Sequence, residues 1–165
     1  MDLRAHIRDI PDFPKPGIVF KDLTPLFLYP PALEHTVELL SRYATDLEVE
    51  LVVAAEARGF ILGGAIAARA GAGFIPARKP GKLPAATASV EYTLEYGLDA
   101  LAGGARVLVH DDLLATGGTA RAVCDLVERS GAEVAGCAFV VELSFLSGRE
   151  KLEGYDVFSL IQYSD

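Results

Sequence analysis

The chain has 165 residues, room for one domain with a sizeable core, and 51% of them are apolar against 23% charged, the balance of an ordinary globular protein. Its formal net charge of −8 argues against general binding to nucleic acid or to an anionic membrane, while leaving small anionic ligands, which respond to local charge. No stretch is long and apolar enough to span a membrane, and the opening MDLRAHIRDIPDFPKPG lacks the apolar centre of a secretion signal.

In chain order, Asp9 to Thr24 is rich in proline and glycine and reads as an ordered loop, with PGIVF as a short strand. Pro30 and Pro31 open a helix, where proline is tolerated, and Leu33, Val37, Leu40, Ala44 and Leu47 follow at helical spacing. Leu51 to Ala55 is a short apolar strand ending at Glu56. Gly59 to Ala70 reads as a helix closed by Gly71, and Gly73 to Ala77 as the next strand. Arg106 to Val109 is a third strand, followed by a helix from Gly118 to Ser130 that Gly131 stops. Glu133 to Glu142 and Val157 to Gln162 complete the set. Cys124 and Cys137 fall in apolar elements without metal or redox spacing, so buried thiols in a reducing, cytoplasmic setting are expected.

Strands alternating with helices imply an α/β fold, a mostly parallel central sheet with helices on both faces, in one domain over residues 1–165. The strands are near-continuous apolar runs, as a sheet covered on both faces demands. Ligands bind such sheets beyond the carboxyl ends of the strands, so the loops after Ala55, Ala77 and Val109 converge on one site. One segment breaks the pattern. In TASVEYTLEY, Thr87, Ser89, Glu91, Thr93 and Glu95 alternate with apolar or aromatic residues. That period of two predicts an antiparallel-type strand with one polar face, a flap beside the main sheet.

Three loops carry the chemistry. In DDLLATGGTA the residue after Gly118 is Thr119, not the lysine a Walker loop requires, which disfavours a nucleoside triphosphate site. The backbone amides of Ala115, Thr116, Gly117, Gly118 and Thr119 still suit one phosphate at a helix start. Asp111 and Asp112 would repel that phosphate at close range, but they can accept from sugar hydroxyls a few ångströms away. The loop therefore suits a ribose 5-phosphate. In AAEARGFILGG, Arg58 stands at a strand-to-helix junction and can grip a phosphate or pyrophosphate, unless it pairs with Glu56. In PARKPGKLP, Arg78, Lys79 and Lys82 place three cations within five residues of an acidic chain, a site for a second, multiply charged phosphate.

The blocks FPKPGIVFKDLTPLF, EARGF, RKPGKLP, LEYG, DDLLATGGT and SLIQY, in this order over nearly the whole chain, resemble those of the type I phosphoribosyltransferases, in the branch that acts on adenine. The resemblance implies transfer of phosphoribose from 5-phosphoribosyl 1-pyrophosphate to N9 of adenine, giving AMP and pyrophosphate in purine salvage. It implies Mg²⁺ carried on the pyrophosphate, with no direct protein ligand to the metal, and a homodimer. On that pattern Asp111 and Asp112 hold the ribose hydroxyls and residues 115–119 the 5-phosphate. Arg58, Arg78, Lys79 and Lys82 hold the pyrophosphate, some of them across the dimer interface. Val19, Phe20 and Lys21 form the base pocket, with Phe20 stacked on adenine and backbone groups reading its edge. Residues 1–24 correspond to a base-binding hood and 78–104 to a flap.

A group must also manage a proton on the purine. In the 6-oxopurine branch an aspartate stands where this chain has Ala115, and alanine cannot do that work. Glu91 and Glu95 share the polar face of the flap strand, so the strand pattern does not choose between them. The resemblance chooses Glu95 of LEYG, as the catalytic group at adenine N7. Activity on another purine base, or a non-catalytic role in sensing phosphoribosyl pyrophosphate, are the alternatives. Ala115 and PGIVFKD disfavour the first, and the absence of a nucleic-acid-binding surface on this acidic chain disfavours the second.

Three departures from the pattern stand out. His110 replaces an apolar residue before the paired aspartates, either as a core histidine bonded within the sheet or as a group tuning the carboxylates. Pro80 stiffens the basic loop. The link LDALAGG between Gly97 and Arg106 is too short for a second flap strand, so a truncated flap is expected.

Overall fold

The computed structural model describes residues 1–78, the backbone of 93 and 94, and residues 101 and 103–165. Two short strands, β1 (Arg8–Ile10) and β2 (Phe20–Asp22), pair antiparallel, with Arg8 opposite Asp22, Asp9 opposite Lys21 and Ile10 opposite Phe20. Opposite charges thus face each other across the pair. The strand starts later than PGIVF suggests. Gly17 adopts a left-handed φ of 85°, and its N–H donates to Asp12 Oδ1 at 2.7 Å, so the proline-glycine stretch is spent on a turn.

Helix α1 (Thr24–Leu28) is too short to show a periodicity, yet Pro25 presets its first turn and Leu26 is fully buried. Helix α2 (Pro30–Asp46) begins on its two prolines and buries Ala32, Val37, Leu40 and Ala44. The alternation expected from sequence follows: β3 (Leu51–Ala55), α3 (Gly59–Ala70) and β4 (Gly73–Arg78). Gly71, at φ 74°, caps α3 in the left-handed conformation. Next come β5 (Thr93–Leu94), β6 (Arg106–Leu114), α4 (Gly118–Arg129), β7 (Glu133–Leu143) and β8 (Val157–Tyr163). Two 3₁₀ segments, Ser144–Leu146 and Gly148–Leu152, join β7 to β8.

The main sheet has the order β5-β4-β3-β6-β7-β8, parallel throughout except for β5 at the edge. Thr93 and Leu94 pair antiparallel with Arg78 and Ala77. The rest of the expected flap strand, with Pro80, Glu91, Glu95 and the link after Gly97 as far as residue 100, lies outside the described residues.

Helices α2 and α3 cover one face, where Leu40, Leu62 and Ile66 belong to one core with Val52, Leu108, Ala138 and Val140. Helix α4 covers the other, where Val123, Leu126 and Val127 join Val53, Val107, Val109 and Phe139. Cys124 and Cys137 lie in that second core as free thiols, Sγ to Sγ 3.6 Å, and their mutual hydrogen bond and burial push the Cys137 thiol up. Helix α3 rides unusually close to the sheet. A Cβ on Gly63 would come within 2.7 Å of Ala54 Cβ and 2.8 Å of the Phe74 ring. This close approach carries the start of α3 up to the carboxyl end of β6.

Candidate functional site

The site is built where β6 ends. This strand runs on through Asp111 and Asp112 to Leu114, because Leu113 and Leu114 keep the ladder with Val141 and Glu142 of β7. The two aspartates are therefore strand residues, not the first residues of a loop after Val109. The Asp112 amide donates to Asp111 Oδ1 at 2.9 Å. A Cβ on Gly59, the first residue of α3, would lie only 3.1 Å from Asp111 Oδ1, so the helix start presses against this carboxylate.

Asp112 is 2% exposed, and its Oδ2 lies 2.9 Å from Arg58 Nε. The contact lacks hydrogen-bond alignment, which leaves Oδ2 a buried acceptor with no hydrogen-bonded donor among the described residues. Burial pushes the Asp111 carboxyl well above the usual range, and the charge of Asp112 adds to that. Burial also pushes Asp112 up, against the pull of the Arg58 guanidinium. Two carboxylates in one dry place resist holding two charges, so they titrate as a unit. Such a pair is well suited to donors that arrive together.

Arg58 does not pair with Glu56. The Glu56 carboxylate accepts from Arg78 Nε at 3.1 Å, and its amide donates to the Ala77 carbonyl at 3.0 Å. The Glu56–Ala57 peptide is cis. Arg58 instead bridges two parts of the site, with Asp112 on one side and the Phe20 ring, 5.4 Å from ring centroid to guanidinium carbon, on the other. Of the base-pocket residues expected from sequence, the structure brings Phe20 here, and Phe13 packs edge-on against it at 5.3 Å. Lys21 follows the period of its strand and turns elsewhere. Its ammonium bonds Asp9 at 2.8 Å and sits 4.1 Å over the Tyr163 ring. Val19 and Lys21 line a separate cavity of about 680 Å³ with Tyr163, Phe145 and Leu146.

Beyond β6, Ala115 to Thr119 curl around a small cavity of about 70 Å³, which Asp111 and Leu113 also line. Gly117 is the N-cap of α4 at φ 78°, with no side chain to occupy the first amides of the helix. Those amides form an anion cradle at the positive end of the helix. The cradle is braced from behind by residues that sequence reasoning missed. A Cβ on Gly117 would overlap the Gly148 carbonyl oxygen, and one on Gly148 would overlap the Ala115 carbonyl oxygen. Arg149 pins this brace by forking onto Glu142, Nε at 2.7 Å and Nη2 at 2.8 Å, and by donating to the Val157 carbonyl at 2.9 Å. The only sequence signal of this contact is a glycine beside an arginine, far along the chain from the loop it supports.

Arg78 closes β4 and bonds the Glu56 carboxylate, whereas Lys79, Lys82 and Glu95 lie outside the described residues. His110, fully buried, pairs its Nδ1 with the Ala138 carbonyl at 2.9 Å inside the sheet. Among the described residues no group of three or more His, Cys, Asp or Glu side chains could hold a metal ion, and no helix is long and apolar enough to cross a membrane.

A family model of the phosphoribosyl transferase domain matches residues 32–164. An adenine phosphoribosyltransferase of Rubrobacter xylanophilus is 55% identical over 171 residues, covering 99% of this chain and 92% of that protein. The crystal structure of adenine phosphoribosyltransferase from Thermoanaerobacter pseudethanolicus superposes with a TM-score of 0.90 at 47% identity, covering 98% of both chains. The Saccharomyces cerevisiae adenine phosphoribosyltransferase, complexed with D-2,5-dideoxy-2,5-imino-altritol 1,6-bisphosphate and adenine, superposes with a TM-score of 0.89 at 36% identity, covering 96% of both chains.

Proposed function

We infer the chemistry of this site from the family to which the chain belongs, the phosphoribosyl transferases and, within them, the adenine phosphoribosyltransferases. The protein transfers the 5-phosphoribosyl group from 5-phosphoribosyl 1-pyrophosphate to N9 of adenine, giving AMP and pyrophosphate. One observation carries the assignment of its parts: a pair of adjacent aspartates, Asp112 buried with an unsatisfied acceptor and Asp111 half-buried, lies immediately before an amide cradle at a helix start. The 2- and 3-hydroxyls of ribose supply the donor that Asp112 Oδ2 lacks and add one to the Asp111 carboxylate. Residues 115–119 take the 5-phosphate on their amides.

Adenine lies on Phe20, with the backbone of Val19 and Lys21 reading its edge. Residues 1–24 act as the hood over the base, and the segment 78–104 as the flap. N9 bonds C1 of the ribose as the bond from C1 to pyrophosphate breaks, and the N7 proton passes to the carboxylate of Glu95. Positive charge builds on the ribose ring at that moment. Asp111 and Asp112 carry the negative charge that favours it, Asp112 from a buried position. Arg58, Arg78, Lys79 and Lys82 stabilise the departing pyrophosphate, which carries Mg²⁺ with it as part of the substrate. Arg58 already touches both the diol side and the base side, so it fixes the distance between the two reactants.

The chain works as a homodimer, with cations of RKPGKLP reaching across the interface, and exposed Ile61 and Phe74 supply apolar surface for that contact. The buried free thiols Cys124 and Cys137 support a reducing, cytoplasmic location.

The test is a product assay. Purified protein, Mg²⁺ and phosphoribosyl pyrophosphate are mixed separately with adenine, hypoxanthine, guanine and xanthine, and nucleotides are resolved by chromatography. AMP from adenine alone is the expected result. Nucleotide from another base, or none from any, overturns the reading.

A further inference from the structure

The 3₁₀ segment Gly148–Leu152 brings a cation to the phosphate cradle as well as a brace. Lys151 Nζ lies 3.9 Å from the place a Cβ on Gly118 would take, and Gly118 is both the first residue of α4 and part of the cradle lining. Among the described residues this ammonium has no hydrogen-bond or ion-pair partner. The other cations at this end are occupied: Arg121 pairs with Asp125 at 2.8 Å, and Arg149 with Glu142 at 2.7 Å. Glu150 and Glu153, exposed neighbours in the chain, make no ion pair with Lys151.

An ammonium beside the amino end of a helix meets the positive end of the helix dipole, an arrangement that is unfavourable until an anion sits between them. Nor is Lys151 there as a loose tail. Two residues before it Arg149 is forked onto Glu142, and three before it the Gly148 backbone packs on Gly117 and Ala115. The segment is fixed at the cradle, and only the lysine stem is free to adjust.

We propose that Lys151 binds the 5-phosphate, adding a positive charge beside the helix amides of the cradle and selecting ligands that carry a phosphate monoester over the corresponding unphosphorylated ribosides. The proposal rests on the reading of residues 115–119 as a ribose 5-phosphate site. The amides alone supply neutral dipoles, whereas an ammonium adds a full charge that a phosphate dianion uses and a free hydroxyl does not.

Lys151→Met and Lys151→Arg test it, by calorimetric titration with ribose 5-phosphate and by steady-state kinetics. Lys151→Met is expected to weaken ribose 5-phosphate binding roughly tenfold, the lower range for a hydrogen bond to a charged group. The KM for phosphoribosyl pyrophosphate rises with it, and more than kcat falls. Lys151→Arg restores most of the loss, and adenosine binding does not change. Ribose 5-phosphate binding within twofold of the parent in Lys151→Met overturns the proposal, as does an equal loss for AMP and adenosine. The titration needs no turnover, so a parent protein that makes no nucleotide refutes the reaction while the lysine is still judged by its binding.

Discussion

Gly117→Ala tests the brace behind the amide cradle of residues 115–119. Gly117 sits at φ 78°, where a Cβ costs about 1–2 kcal/mol. The new Cβ would also overlap the Gly148 carbonyl oxygen and lie 3.1 Å from its carbon and 3.2 Å from its Cα. To reach the roughly 3.3 Å at which carbon and carbonyl oxygen ordinarily meet, the two backbones must part by about 1 Å. Gly148 cannot yield alone, because the next residue is held on Glu142 by bonds of 2.7 and 2.8 Å. The cradle amides take up the displacement instead. A misplacement of that size lowers the rate by about 10²-fold, and strain plus overpacking destabilise the fold by about 2–4 kcal/mol. The assay is initial-rate AMP formation over a range of phosphoribosyl pyrophosphate, run below the thermal midpoint of the variant. That midpoint should drop by roughly 5–15 °C for a chain of this size. Gly64→Ala is the control: Gly64 lies within α3 with nothing within 4 Å of the added Cβ, so activity holds and stability rises by a few tenths to about 1 kcal/mol. A Gly117→Ala protein with kcat/KM within about threefold of the parent refutes the rigid-brace reasoning.

Glu95→Ala lowers turnover by roughly 10²–10⁴, the usual worth of general acid–base help, and unchanged turnover removes Glu95 from the reaction. Phe20→Ala raises the KM for adenine about 10–100-fold, the loss of one stacked base, while that for phosphoribosyl pyrophosphate stays near the parent value; an equal rise in both counts against stacking. His110 is pushed down from 6.5 to about 4 by burial, which outweighs its bond to the Ala138 carbonyl. Between those values the unfolded chain takes a proton that the folded one refuses, so stability falls as pH drops from 6.5 to about 4, by about 3 kcal/mol in all. His110→Val lacks that contribution, so its thermal midpoint falls less over the same window, with an unchanged pH–rate profile near neutrality; a melting curve that tracks the parent's at every pH sinks this account.

Much of the scaffold is legible from period and punctuation. The helix Gly59–Ala70 is bounded by glycines and buries Leu62, Ile66 and Ala67, and the parallel strands are short apolar runs that no amphipathic helix would show. The length of β6 is not legible, because two adjacent aspartates resemble a strand end until Leu113 and Leu114 are seen in ladder with β7. Helix α1 escapes detection because five residues cannot display a helical period. At the site, residue types announce themselves while partners do not. Arg58 reads as a phosphate grip, yet its contact with Asp112 depends on how closely α3 rides on the sheet, which Gly63 decides. Lys21 belongs to an informative block, but the pleat of β2 sends its side chain away from Phe20. The brace at Gly148 and Arg149 is invisible locally because each partner lies in a different element.

The clasp between β1 and β2 has a consequence for how the protein loosens. The main sheet is sandwiched between two apolar cores, but the small ribbon is fastened largely by Arg8 on Asp22 and Lys21 on Asp9. Each pair keeps one partner in solvent, Arg8 with 62% and Asp9 with 57% of its side chain exposed, so rising ionic strength weakens both in part, while buried apolar contacts are not screened at all. The ribbon that carries Phe20 is therefore less cooperative than the main sheet and opens before the sheet unravels. In concentrated salt, amides of residues 8–10 and 20–22 exchange with solvent ahead of those in β3 and β6, and Phe20 loosens while residues 115–119 keep their place.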